Sequence, residues 1–166
     1  MEISFKVAAE ETRGFLHRLA AALGDTTPAN RIIGEYVRGS VLKNFEAQGR
    51  PEPWTPLADA TLWGRVRGKK FTKRGGLTKN AERRISGARI LMRTGRLRKS
   101  IGYLAGKDKV TIGTNLIYSA IQQFGGMAGR GHQVEIPARP YLMLQDEDQP
   151  AIEKILGDWL LGRPPG

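Results

Sequence analysis

At 166 residues and 18.3 kDa the chain has the length of one domain, and its 40% hydrophobic content is enough to build a core. It has no cysteine, which excludes disulfides and thiolate metal sites, and no apolar run approaches the ~18 residues of a membrane span. The net charge of +11 is local: 14 of the 27 basic residues and one of the 16 acids, Glu82, lie between Arg65 and Lys99, giving +13 there and −2 over the rest.

Along the chain, Ile3, Phe5 and Val7 alternate with Glu2, Ser4 and Lys6, the period of a half-buried strand. This segment lacks the basic and apolar regions of a signal peptide, so a cytoplasmic start is expected. Phe15, Leu16, Leu19, Ala20 and Leu23 then fall at helical spacing between Glu10 and Leu23, with Gly24 as the stop. Thr27-Pro28 supplies a cap and first turn for a second helix, whose apolar stripe is Ile33, Val37, Val41 and Phe45 and whose end is Gly49. Gly34 and Gly39 each weaken that helix by roughly 1 kcal/mol relative to alanine, so packing has to compensate.

Pro51, Pro53 and Pro56 exclude helix or central strand around Trp54. The basic stretch that follows contains Gly64, Gly68, Gly75, Gly76 and Gly87 and reads as a flexible insertion over 64–89 that takes its shape on binding. A short helix over Arg89–Lys99 is expected next, anchored by Ile90, Leu91 and Leu97 and interrupted at Gly95. Ile101 and Tyr103, then Val110 and Ile112, flank the turn residues Gly106-Lys107-Asp108 and predict a hairpin, with Gly113 leaving room for the next helix. Leu116–Phe124 reads as helix closed by Gly125-Gly126, and Gln133–Ile136 and Tyr141–Leu144 as short strands. A final helix is expected from Pro150, behind the acids Asp146, Glu147 and Asp148, with Ile152, Ile155, Leu156, Trp159 and Leu160 buried; 162–166 is a tail. The order predicts one α+β domain over 1–161: a small, mainly antiparallel sheet packed with helices, plus a long basic loop insertion.

Enzymology finds little to work with. The two histidines, His17 and His132, lack neighbouring ligands at metal-site spacing, and no nucleophile–base pair can be picked out. The run GKKFTKRGG from Gly68 lacks phosphate-loop spacing and a preceding strand. The three acids before the final helix are explained more simply by a helix N-terminus than by a cation. The sequence therefore points to no catalytic residue, metal or cofactor.

A confined basic insert implies a polyanionic or acidic partner. Arg65, Arg67, Lys69, Lys70, Lys73, Arg74, Lys79, Arg83, Arg84 and Arg89 are the candidates for contact with phosphates or with an acidic protein. Only Trp63 and Phe71 accompany them as stacking aromatics, and no nucleic-acid-binding motif is present, so any such contact would be to the backbone.

Four separated blocks are more specific. They are Phe45-Glu46-Ala47-Gln48-Gly49 leading to Trp54-Thr55-Pro56-Leu57 and Thr61; Ile90 to Ile101; Val110-Thr111-Ile112-Gly113-Thr114 with Tyr118 to Gly126; and Ile136-Pro137-Ala138-Arg139-Pro140-Tyr141-Leu142. In this order, with a basic insert between the first two, the chain resembles the Mu-like phage virion morphogenesis family, also described as tail completion proteins. It departs from that pattern at Gln122, where the family carries histidine, which favours packing or hydrogen bonding there. The resemblance implies a non-enzymatic assembly protein acting late, in the tail or at the head–tail junction of a phage or prophage particle assembled in the host cytoplasm. It implies a homo-oligomer, in a ring, meeting other head, neck or tail proteins and no membrane, with the insert on an acidic partner or on packaged DNA in the lumen. Trp54, Arg139 and Tyr141 are the candidates for contact with an adjacent subunit; Trp54 is more readily explained as an anchor of its own fold, and Arg139 serves equally well to tie down its own loop. The alternative is a free-standing nonspecific nucleic-acid-binding protein.

Overall fold

A computed structural model describes Gly14, Ala20 and residues 24–162. The expected first strand, most of the first helix and His17 lie outside the described residues. Six helices and two small sheets follow: α1 (Thr27–Ala47), α2 (Asp59–Arg65), α3 (Lys79–Ser86), α4 (Arg96–Lys99), β1 (Gly102–Ala105), β2 (Val110–Gly113), α5 (Ser119–Phe124), β3 (Gly126–Ala128), β4 (Val134–Ile136) and α6 (Asp148–Leu160). The class is α+β, and among the described residues the expected single sheet is two two-stranded ones, β1–β2 and β3–β4. The chain forms two compact units: residues up to Arg38 with Tyr103–Ile112 and the chain from Asp146 onward, and Gly39–Gly102 with Gly113–Gln145.

In the first unit α1 begins where the Asp25 carboxylate accepts the Thr27 amide at 2.9 Å; the Thr27 side chain first, and then this amide, hold the carboxyl below its ordinary pKa. Asn30 Nδ2 donates to Thr26 Oγ1 and to the Gly106 carbonyl, at 3.0 and 2.8 Å, and the Thr26 hydroxyl donates to the Lys107 carbonyl. The β1–β2 turn is thereby fastened to the first turn of α1. A two-stranded hairpin is marginal alone and needs a helix to lie on. Here the Tyr103 ring lies against Gly34, where an added Cβ would fall 2.3 Å from the ring. The compensation expected for Gly34 is therefore real; Gly39 has nothing within 4 Å of its Cβ position. The last helix starts at Asp148 rather than Pro150, and its apolar residues Ile152, Ile155, Leu156, Trp159 and Leu160 are half-buried, not fully buried as expected.

The second unit closes around three rings. Phe45 meets Trp54 edge-on at 5.7 Å and Tyr141 at 5.3 Å, and all three are buried. Gly49, at φ +121°, turns the chain so tightly that a Cβ would lie 2.5 Å from the Trp54 amide, which donates to the Gln48 carbonyl. The indole Nε1 donates to the Pro140 carbonyl at 3.0 Å. Residues 141–144 form no strand, contrary to expectation, because a side chain takes their backbone groups: Gln123 Oε1 accepts the Tyr141 and Leu142 amides, both at 3.0 Å, and its Nε2 donates to the Leu142 carbonyl. Asn44, wholly buried, donates to the Tyr141 carbonyl and accepts from Arg50 Nε. Gln48 Oε1 accepts the Ile90 amide, and Ser100 bonds Thr114 at 2.6 Å, so parts of all four sequence blocks meet in this unit. The helix expected over Arg89–Lys99 shrinks to α4, since Leu91 (φ +56°) and Gly95 (φ +69°) break it.

The insertion is not a loop without structure. Trp63 and Phe71 pack at 5.6 Å, Val66 and Ala81 are buried, and Phe71 bridges Leu77 in antiparallel fashion. Thr78 caps α3 by accepting the Ala81 amide, and its hydroxyl donates to the Lys69 carbonyl. Helix, turn and helix are thus held by bonds of their own, and the expectation of a segment shaped only by its partner is corrected.

Two outcomes follow. Gly34→Ala should destabilise by about 1–3 kcal/mol through the clash with Tyr103, whereas Gly39→Ala should stabilise by up to about 1 kcal/mol; urea unfolding separates them. Gln123→Leu should cost about 2–4 kcal/mol, because it strands two buried amides, read as a lower urea midpoint.

Candidate functional site

The two helices of the insertion, α2 and α3, end beside one another, and their C-terminal turns and the segment after them carry arginine after arginine. Together they line a cleft of about 660 Å³ with Arg65, Arg67, Arg83, Arg84, Arg89 and Arg93. The rest of the lining is Gly64, Gly87, Ala88, Met92 and Thr94, without a carboxylate. Helix C-termini tolerate cations because their carbonyls carry partial negative charge. Two guanidiniums use main-chain oxygens: Arg89 Nη2 donates to the Glu46 carbonyl in the last turn of α1 at 2.5 Å, and Arg65 Nη1 to the Arg89 carbonyl at 3.0 Å. Arg65 Nε is buried without a hydrogen-bond partner, and burial, then the nearby Arg93 charge, lowers the Arg65 pKa. Ion pairs among the described residues, such as Arg38–Glu35, Arg98–Glu46 and Lys154–Asp158, leave the cleft arginines out.

Of the ten basic candidates, the fold brings five into this cleft: Arg65, Arg67, Arg83, Arg84 and Arg89. Lys69, Lys70, Lys73 and Arg74 stand exposed on the turn around the Phe71–Leu77 bridge, and Lys79 is exposed at the start of α3; Lys70 Nζ lies 5.8 Å over the Trp63 ring. Arg93 was missed because the expected insertion stopped at 89. Its signal was available, since the charge run continues to Lys99.

A second concavity, about 600 Å³, runs along Pro56, Leu57, Leu91, Leu97, Val134 and Ile136. Arg65, Arg93 and Thr94 line it too, so they form a wall common to groove and cleft. Nearby in the chain, Ile117 is 100% exposed and Phe124 78%.

The three candidates for subunit contact are placed elsewhere. Trp54, Arg139 and Tyr141 are 5%, 6% and 1% exposed. Arg139 donates to the Thr55 and Pro56 carbonyls at 3.1 and 3.3 Å, and burial lowers its pKa. The Tyr141 hydroxyl donates to the Ser119 carbonyl at 3.2 Å, and burial pushes that hydroxyl up. All three are occupied with their own chain and present little to a second molecule. The hydrogen-bonding role expected at Gln122 falls to the neighbouring Gln123; the Gln122 side chain lines the groove. His132 is exposed, with Nδ1 3.4 Å from the Met127 carbonyl.

Comparison with known proteins gives these features a context. Residues 7–161 match the phage virion morphogenesis family. The chain is 34% identical over 151 residues to Mu-like prophage FluMu G protein 2 of Haemophilus influenzae, an alignment covering 91% of this chain and 90% of that protein. No solved structure matches it. A match of this extent, over all four blocks, places the chain in the phage virion morphogenesis family.

Proposed function

We propose that this protein is a non-enzymatic assembly component that completes the tail or joins it to the head. In this reading it associates with copies of itself, in a ring, and the basic insertion holds a polyanionic component of the particle. It is put together with the other head, neck or tail proteins in the host cytoplasm and stays with the virion. Family membership over nearly the whole chain is the observation that carries the reading. Two features of the surface support the finer parts. Ile117 and Phe124 are unpartnered apolar side chains in a chain with a well-made aromatic core, as expected of a subunit contact. The short β3–β4 sheet has its strands in register from Gly126↔Ile136 to Ala128↔Val134 and adds edges on which another chain can pair. Multivalent contact of this kind converts weak single sites into tight assembly, and the +13 of the Arg65–Lys99 stretch makes it responsive to salt.

A phage or prophage lacking this gene should yield heads and tails that do not form infectious particles. The wild-type chain supplied in trans should restore them, whereas Ile117→Asp with Phe124→Asp should not. Light scattering should show the wild-type protein self-associating with concentration and this double variant monomeric with unchanged circular dichroism. Infectious yield that is normal without the gene contradicts the assembly role, and a wild-type chain monomeric at every concentration contradicts the self-association.

A further inference from the structure

We propose that the arginine cleft between the ends of α2 and α3 is a preformed site for the phosphodiester backbone of duplex DNA. The proposal rests on the assembly reading for its place in the particle and on the cleft alone for its chemistry.

Six guanidiniums face one concavity, and none has a carboxylate partner among the described residues. A guanidinium is a planar fork whose two N–H groups match the oxygens of a phosphate. Arg65 and Arg89 are held by main-chain carbonyls, so part of the array is fixed before anything binds. Arg67, Arg83 and Arg84 are exposed and able to turn toward a ligand. Arg65 Nε is buried there without a hydrogen-bond partner, so an anion entering the cleft would meet a guanidinium that lacks one of its bonds.

The lining also distinguishes the kind of partner. Protein interfaces centre on apolar and aromatic anchors with the charges at the rim. This cleft has a different composition, with six arginines and only Met92 as a large apolar side chain. Interfaces with DNA are more polar and far more positive, as here. Lys69, Lys73 and Arg74, exposed on the turn of the same insertion, add general attraction without belonging to the cleft. No base-reading element accompanies the site, so binding is indifferent to sequence.

The test is anisotropy of a labelled short duplex of arbitrary sequence, titrated with the full-length protein across a salt series. The wild-type protein should bind with a steep salt slope. Arg67→Gln, Arg83→Gln and Arg84→Gln together should weaken binding by about tenfold or more and reduce the slope by about 2–3, since each phosphate left unneutralised takes away about 0.9. Lys69→Gln, Lys73→Gln and Arg74→Gln, which remove the same charge from the turn, should have a much smaller effect. Circular dichroism melts confirm that both triple variants fold. Equal effects of the two triples overturn the site in favour of diffuse attraction. Absence of wild-type binding overturns it, as does poly-L-glutamate of matched charge displacing the duplex as well as unlabelled duplex does, since the cleft then suits an acidic protein. If the cleft triple fails to restore particles although the wild-type protein binds no DNA, the assembly reading stands and only the phosphate assignment falls. If DNA binding is lost and particles are normal, the cleft assignment stands and the insertion has no part in assembly.

Discussion

The second unit depends on how the polar backbone of 139–145 is satisfied beneath its aromatic cluster. Buried amides and carbonyls need partners, and neighbouring strands usually supply them. Here two side-chain amides do so, with Gln123 serving Tyr141 and Leu142 from α5 and Asn44 serving Tyr141 from α1. Because these amides come from distant parts of the chain, they fix where Tyr141 sits, and Phe45 and Trp54 pack to match. Arg139, drawn inward onto Thr55 and Pro56, closes the same circle. Most of the blocks through which the family is recognised thus pack together in this unit, with Val110–Ile112 of the third belonging to the other.

The basic insertion divides differently from the way its composition suggests. Its ordering elements are few and small: one aromatic pair, two buried residues and a capped helix. They suffice to hold two helix ends together, and the arginines are borne on those ends. The expected separation between a neutral body and a charged appendage survives in the cleft arginines, which form no ion pair among the described residues. It does not survive in the backbone, which is already folded. A site of this kind forgoes less entropy on binding than a segment that must order itself first.

What could be read from sequence follows from which interactions leave a periodic trace. The α1 stripe Ile33, Val37, Val41 and Phe45 is buried as its spacing foretold, and the β1–β2 hairpin sits about its turn residues. The strand read at Gln133–Ile136 is present as β4, but its partner β3 escaped notice because a three-residue strand beside a glycine-rich turn leaves too few positions to show alternation. Tyr141–Leu144 resembled a strand in composition, but Gln123 had taken its hydrogen bonds. Gly113 was expected to make room for a helix, yet nothing lies within 4 Å of its Cβ position; the crowded glycine is Gly125, 2.7 Å from the Ala138 amide. The cleft was half legible. Charge density named five of its six arginines, but only the fold separates those facing one another from those on the turn.

The seat of Tyr103 on Gly34 has a consequence for descent. With 2.3 Å between the ring and the place of a β-carbon, no substitution at Gly34 fits while the tyrosine is there. A smaller residue at position 103 would leave the hairpin held to the helix mainly by the bonds of its turn. Lineages that alter this joint must therefore change both positions nearly together, and relatives should keep the pair or have lost both members.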